Sequence, residues 1–307
     1  MDNVMELSIR RGFIWPSYEI YGGVGGFYDY GPLGATLKKK LEDVWRGIYC
    51  VKEGFLEISS PAVSPEDVFI ASGHVKSFAD PVVECKKCGS AFRADHAIRD
   101  AVDMKTDGLS FKELENIVDK NGVKCAKCGG GFGGVSTYNL MFRTHIGPGE
   151  RRIGYLRPET AQGMFILFNR LYSFYRKKLP FGVAQLGRAY RNEISPRQGV
   201  VRLREFNMAE VEIFVDPRKK TCENFDSVEK MELDLVPQDG QEIRIAAGDA
   251  VKEGIIAHEL LAYHLTVVRQ FLENVGISAE KLRFRQHAKT EMAHYAADCW
   301  DAEFNSG

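Results

Sequence analysis

Residues 183–215 decide the fold: VAQLGRAYRNE (183–193), ISPRQGV (194–200) and VRLREFNMAEVEIFV (201–215). The outer segments read as strands, and Pro196 and Gly199 favour a turn between them, so the pattern predicts an antiparallel hairpin. Side chains two apart share a strand face. On the second strand Arg202, Arg204, Phe206, Met208, Glu210 and Glu212 then fall on one face, with Val201, Leu203, Val211, Ile213 and Val215 on the other; on the first strand Arg191 and Glu193 share a face. A polar sheet face is often simply solvated. A lone Phe among arginines and carboxylates favours a substrate platform instead, because a ring can stack a base while guanidinium groups bind phosphate.

Working outward, residues 11–34 are rich in glycine and aromatics and read as a loop with close backbone approaches. Residues 35–51 follow with Leu37, Leu41, Val44, Trp45 and Ile48 spaced as on an amphipathic helix. FLEISSPAV (55–63) reads as a strand stopped by Pro61. Helices are expected around 111–118 and over 158–176, the latter with Pro158 in its first turn. The stretch 217–254 reads as an insertion, partly helical towards its end.

The chain has 307 residues, 44% hydrophobic and 27% charged, which suits a globular protein and excludes collagen, coiled coil and wholesale disorder. Its densest apolar run, 164–168, is far below the roughly 20 residues of a membrane helix. The N-terminus, MDNVMELSIRRGFIW, lacks an apolar secretory core, so no membrane partner is expected and the expected compartment is the cytoplasm. Net charge is −1, yet residues 143–204 carry 13 Lys+Arg against 3 Asp+Glu, while 205–307 carry 11 against 20. A basic block in a neutral chain suits a polyanionic or phosphate-bearing partner, although charge alone also fits a solvated basic face.

Four of the seven cysteines form Cys85-x-x-Cys88 and Cys125-x-x-Cys128. Each pair makes a knuckle that turns two thiolates towards one ion, and two knuckles complete a tetrahedral structural zinc site. A redox dithiol is the alternative. The 36 residues between the knuckles imply a small insert. Cys50, Cys222 and Cys299 read as small hydrophobes.

Other motifs fail on context. Gly129, Gly131 and Gly134 satisfy G-x-G-x-x-G but follow a knuckle, not a buried strand. His258-Glu259 opens like a zinc-protease helix, but Ala262 holds the place of the second histidine, and His264 falls about 240° round the helix.

Arg191-Asn192-Glu193 with Arg202-x-x-x-Phe206 resembles motif 2 of class II aminoacyl-tRNA synthetases. EIYGGVGGFYDYGPLG, SPEDVFIASGH, FRADH, RPETAQG, RNEISPRQG, REFNMAEVE and EMAHYAADCWDAE resemble glycyl-tRNA synthetases of the homodimeric type, in family order from residue 19 to 303. The resemblance implies an α+β fold: a class II synthetase-like antiparallel sheet of six strands flanked by helices, with a zinc-ribbon-like insertion. The catalytic domain is expected in three segments, the first with dimer-forming motif 1 (1–81), the second with motif 2 (136–216) and the third at 255–307. The zinc-binding insertion (82–135) separates the first two, and a further insertion (217–254) separates the last two.

The implied reaction is ATP-dependent activation of glycine to glycyl-adenylate, then transfer to tRNA-Gly, with Mg2+ on the phosphates and Zn2+ in the insert. By the family pattern Arg191 holds the α-phosphate as the catalytic residue, Arg202 grips the distal phosphates, Phe206 stacks adenine and Glu193 accepts from its amino group. Asn192 and Leu203 complete the ATP-binding set. Arg93, Glu159 and Glu210 surround glycine. Bland roles stay open: Glu159 at a helix N-terminus, Glu210 solvated, Arg93 paired with Asp95. The family continues past WDAE into motif 3 and an anticodon-binding domain, so the expectation is an N-terminal portion of a synthetase or one half of a split one, its site completed by a second chain, or a catalytically silent tRNA-binding or dimerisation module.

Overall fold

The structure, a computed structural model, describes residues 2–104, 106, 109–150, 152–196, 199–289, 291–292 and 296–306. Positions 197–198 of RNEISPRQG and 293–295 of EMAHYAADCWDAE lie outside the described residues. In chain order the elements are α1 (Asp2–Arg10), β1 (Ile14–Pro16), β2 (Tyr28–Tyr30), α2 (Pro32–Arg46), β3 (Leu56–Glu57), β4 (Val63–Pro65), α3 (Glu66–Ala71), α4 (His74–Ser77), β5 (Ala79–Glu84), β6 (Ala91–Arg93), α5 (Ala94–Val102), α6 (Phe111–Lys120), β7 (Ser136–Asn139), β8 (Arg143–His145), β9 (Ile153–Leu156), α7 (Ala161–Ile166), α8 (Phe168–Phe174), β10 (Phe181–Tyr190), β11 (Glu205–Phe214), β12 (Glu232–Val236), β13 (Ile243–Ala246), α9 (Ala247–Lys252), α10 (Glu259–Asn274), β14 (Leu282–Gln286) and β15 (Trp300–Phe304). Two compact units emerge, the first comprising residues 1–38, 57–170 and 184–211, the second 39–56, 171–183 and 212–307.

The first unit contains residues 184–211 of the predicted hairpin. β10 and β11 are adjacent strands in a sheet of order β11-β10-β3, and Arg191 N–H donates to Arg204 O at 2.9 Å. The second strand starts later than the alternation suggested. Residues 201–204 precede β11, and Arg204 points its guanidinium at the carbonyls of Glu193 (2.8 Å) and Gly25 (2.7 Å). It therefore clamps the turn rather than joining the polar face.

The strand expected over 55–63 is two strands. Ile58 N–H still reaches Ala184 O at 2.9 Å, but Pro61 has no N–H to continue the ladder, and the chain moves on to pair as β4 with β9. This diversion leaves three strands in the hairpin's sheet among the described residues, against six in the family pattern, with β4-β9-β8 forming a separate sheet. Phe69, Met141 and Tyr155 pack against that second sheet as a core.

The glycine-rich loop lies hard against α2. A Cβ at Gly34 would sit 1.7 Å from Phe13 O, so no larger residue fits. α2 begins at Pro32, three residues before the expected start, and gives way to a wider turn over Gly47–Lys52. Its predicted apolar face is only partly covered: Trp45 is buried, whereas Leu33, Leu37 and Leu41 are 49%, 55% and 43% exposed.

The cysteine-bearing segment has its own sheet, order β6-β5-β7, and its own core of Val83, Ile98, Leu114 and Val118 together with Cys85 and Cys125. α6 starts on a capping box in which Ser110 and Glu113 satisfy each other's backbone N–H groups.

In the second unit β12 runs parallel to β14 inside a sheet of order β13-β12-β14-β15. Residues 217–254, read as a partly helical insertion, supply two of those strands as well as α9. The signal was present in MELDLV, where Leu233 and Leu235 alternate with acidic residues and are fully buried. His258 caps α10, its ring nitrogen accepting from Leu261 N–H at 3.1 Å, an ordinary structural use of the residue that opened the protease-like string.

Candidate active site

The first unit holds a cavity of about 930 Å³. Arg191, Glu193, Arg202, Leu203 and Phe206 line it, facing Tyr18, Phe27 and Tyr30 from the aromatic loop. Five of the nine predicted pocket residues thus meet on one wall; Asn192, Arg93, Glu159 and Glu210 lie outside its lining. Because 201–204 have not entered the strand, the adjacent residues Arg202 and Leu203 both reach the cavity, which strict alternation would forbid.

Arg191 is the best anchored of the set. Its Nε donates to Pro158 O at 3.2 Å, and its guanidinium carbon lies 5.4 Å from the ring centres of both Phe206 and Phe78. Two ring faces and a carbonyl fix the direction of a cation whose remaining N–H groups can meet an anion. Glu193 is buried, with 8% exposure.

Behind Arg191, Pro158 leads directly into Glu159 and Thr160. The predicted helix over 158–176 begins only at Ala161; just before it Thr160 N–H, which has no acceptor within the helix, donates to Glu210 Oε2 at 2.5 Å, and the Thr160 hydroxyl donates to the same oxygen. A second interruption at Leu167 separates α7 from α8. Glu159 accepts from Gln162 Nε2 at 2.5 Å and faces His74 Nε2 at 3.5 Å. Hydrogen bonding from His74 holds the Glu159 carboxyl below the usual carboxylate range, outweighing burial, with smaller help from the Arg191 charge. Glu159 and Glu210 are thus held on either side of one short turn, neither simply solvated.

Arg93 follows the bland alternative in its contacts. It forms a fork with Asp95 (3.1 and 2.8 Å) and a third bond to Asp80 at 2.7 Å. Burial pushes the Asp95 carboxyl up, but the Arg93 hydrogen bonds and charge prevail and bring it down; at Asp80 burial wins and the carboxyl rises. Glu193 adds to the field on Arg93.

Sequence reasoning did not single out His74, Phe78, Thr160, Gln162 or Arg157. His74, Thr160 and Gln162 sit inside quoted strings, but nothing in the spacing says they touch carboxylates. Arg157 is 8% exposed and donates to the carbonyls of Arg188 and Ser60, both at 2.8 Å, and burial pushes its guanidinium down. It is a clamp for the strands that carry the site.

In the cysteine-bearing segment the four sulfurs lie within 4.8 Å of one another, Cys85 to Cys128 at 3.5 Å and Cys88 to Cys125 at 3.8 Å. Four thiolates at about 2.3 Å from one zinc ion stand about 3.8 Å apart, so the donor set fits. A Cβ at Gly130 would lie 2.9 Å from Cys85 Sγ, which explains the glycine in the second knuckle. Hydrogen bonding with Ser90 draws the Cys88 thiol down to about 6, while at Cys128 the downward pull of a Gly130 backbone hydrogen bond is outweighed by side-chain hydrogen bonds with Cys88 and Cys85, which push the thiol up. Magnesium fits differently. Among the described residues only the cysteines form a group of three or more potential ligands, so no carboxylate cage awaits a hard cation. Such an ion would ride on substrate phosphates.

Residues 145–236 match the family described as tRNA synthetase class II core domain (G, H, P, S and T). The chain is 56% identical to a glycine–tRNA ligase of Methanococcus maripaludis over 98% of its own length, and 54% identical to that of Methanocaldococcus jannaschii over the same share. Along nearly its whole length the chain is similar to glycine–tRNA ligases. It spans about half the length of these relatives, 54% of each. A crystal structure described as a threonyl-tRNA synthetase from Aeropyrum pernix shares the fold, with TM-score 0.50, 14% identity, and coverage of 92% of this chain and 42% of that one. The chain carries a mixed α+β fold with antiparallel sheets, and among the described residues no helix is long and apolar enough to cross a membrane.

Proposed function

We propose that this chain binds ATP in the cavity beside Arg191 and glycine behind Arg191, at the turn that carries Glu159, forms glycyl-adenylate between them and passes the glycyl group to tRNA-Gly. The observation that carries this reading is the convergence of Arg191, Glu193, Arg202, Leu203 and Phe206 on one cavity large enough for a nucleotide. In the first step a glycine carboxylate oxygen bonds to the α-phosphorus while the bond to pyrophosphate breaks. Charge builds on the phosphoryl oxygens, and Arg191, fixed beforehand by two rings and a carbonyl, meets it without reorganising. Arg202 takes the distal phosphates, Phe206 stacks adenine, Glu193 accepts its amino group, and Asn192 and Leu203 shape the nucleotide site. When bound with ATP, Mg2+ would supply charge neutralisation on the phosphates that Arg191 and Arg202 face.

Glycine offers an ammonium, a carboxylate and no side chain, so selection rests on charge at its ends and crowding at its α-carbon. Glu159 and Glu210 receive the ammonium. Arg93 acts at the edge of the site through the carboxylates it organises. In the second step the terminal ribose of tRNA-Gly attacks the acyl carbon and AMP leaves; the basic block over 143–204 suits the approach of a polyanion.

The segment over 82–135 serves as a structural zinc insertion, supported by its separate core and the sulfur spacing. The four-residue repeat of exposed Leu33, Leu37 and Leu41 supports a homodimer through α2. Seven cysteines, none in a disulfide, suit the reducing cytoplasm. Motif 3 and an anticodon-binding domain come from sequence outside these residues, on the same or a second chain. Catalytic segments over 1–81, 136–216 and 255–307, with the insertion over 217–254, complete the proposed layout.

Glycine-dependent ATP–pyrophosphate exchange tests the reading, measured with and without a chain carrying motif 3. Exchange in the presence of that chain is expected. Salt-sensitive tRNA binding with no exchange in either condition would replace the enzyme with a silent tRNA-binding module.

A further inference from the structure

The carboxylate of Glu159 is held by one oxygen only. Gln162 Nε2 donates to Oε1 at 2.5 Å and His74 Nε2 stands 3.5 Å from the same Oε1, while Oε2 has no partner among the described residues. His74 is itself oriented. Its Nδ1 lies 2.9 Å from Ser72 Oγ, its ring packs on Phe78 at 5.3 Å and edge-on to Phe69 at 6.0 Å, and its carbonyl accepts from Asn139 Nδ2 at 3.2 Å. In the tautomer where the Ser72 hydroxyl donates to Nδ1, Nε2 carries the ring N–H and lies 3.5 Å from Glu159 Oε1. Phe78, which holds the His74 ring, is also one of the two rings enclosing Arg191, so the same side chain braces both halves of the site.

We propose that His74 is a positioning residue for the amino group of the amino-acid substrate: with Gln162 it occupies Oε1 of Glu159 and turns Oε2 towards an incoming ammonium. This deepens the glycine-activation reading and rests on it. A carboxylate tethered at one oxygen cannot rotate away or collapse onto a neighbouring cation, so its second oxygen meets the ammonium at little ordering cost. Replacing the imidazole loosens the carboxylate without touching the nucleotide wall formed by Arg202, Leu203 and Phe206.

The test is calorimetric binding of two stable adenylate analogues to the full chain: N-glycylsulfamoyl adenosine, which carries the amine, and N-glycolylsulfamoyl adenosine, in which a hydroxyl replaces it. The wild-type chain is expected to prefer the amine. His74→Ala should weaken the amine analogue about tenfold and leave the hydroxyl analogue within about twofold. His74→Gln, which keeps a neutral donor near the Nε2 position, should recover most of the preference. Equal weakening of both analogues, or no change in either, would overturn the positioning role while leaving the active-site reading intact. If His74→Ala does not fold, His74→Gln decides alone: a lost preference for the amine overturns the proposal. Failure of the wild-type chain to bind either analogue would overturn the site reading itself, and this inference with it.

Discussion

Arg191 and Phe206 face one another, the guanidinium carbon 5.4 Å from the centre of the ring, and Phe78 closes the other side at the same distance. In an enzyme that stabilises a charged phosphoryl transition state, what matters is that the cation is already aimed before the substrate arrives. A lysine would keep the charge but lose both the planar stacking and the fork geometry. Arg191→Lys should therefore lower glycine-dependent pyrophosphate exchange by about 100-fold or more, with a much smaller effect on ATP affinity, as read from the split between kcat and KM.

Glu210 gives a second prediction. Its Oε2 takes both the N–H and the hydroxyl of Thr160, so the side chain is held against the turn that also presents Glu159. Glu210→Gln should raise the glycine KM at least tenfold with little change in the ATP KM, while the melting temperature stays within a few degrees. An unchanged glycine KM would remove Glu210 from the pocket.

The features of this arrangement that the sequence made legible are those with a local rule. Two C-x-x-C knuckles bring four sulfurs together whatever lies between them, and period-two alternation with Pro196 and Gly199 marks a hairpin. What stayed hidden depends on distant partners. Arg204 belongs by alternation with Arg202, yet it turns back to the carbonyls of Glu193 and Gly25, which no periodicity encodes. The Thr160 N–H just ahead of α7 finds its acceptor in a carboxylate 50 residues downstream, a partner the local sequence does not name. His74 and Phe78 acquire meaning only once α4 is packed beside Glu159 and Arg191. β12 was legible in its Leu-Asp-Leu alternation, but its neighbour β14 lies almost fifty residues away and runs parallel, a pairing that no turn announces.

The metal site makes a prediction for stability. Purified without chelator, the protein should carry one zinc per chain by elemental analysis. Cys88→Ser or stripping of the metal should unfold the small core of Val83, Ile98, Leu114 and Val118, seen as loss of amide protection over β5, α5 and α6. Protein free of zinc with that protection intact would end the assignment.

Acid sensitivity follows from Asp95. Its carboxyl is brought below the ordinary range by the Arg93 hydrogen bonds and charge, which outweigh burial. A lowered folded value means the ionised form is favoured by folding. The contribution is thus fully present above the unfolded value of about 3.9 and is lost as pH falls through the folded one. Asp95→Asn should accordingly reduce stability at pH 7, and the difference from wild type should shrink in denaturant titrations run below about pH 4. A difference that grew on acidification would contradict the ion-pair account.

The central claim is that Arg191, Glu193, Arg202 and Phe206 form one nucleotide site. A crystal structure of the chain soaked with ATP, Mg2+ and glycine addresses it directly. The account predicts adenine against the Phe206 ring, an α-phosphate oxygen within hydrogen-bond distance of the Arg191 guanidinium, and the glycine ammonium beside Glu159. ATP bound elsewhere, or Arg191 still enclosed by its two rings with no phosphate in reach, would contradict it.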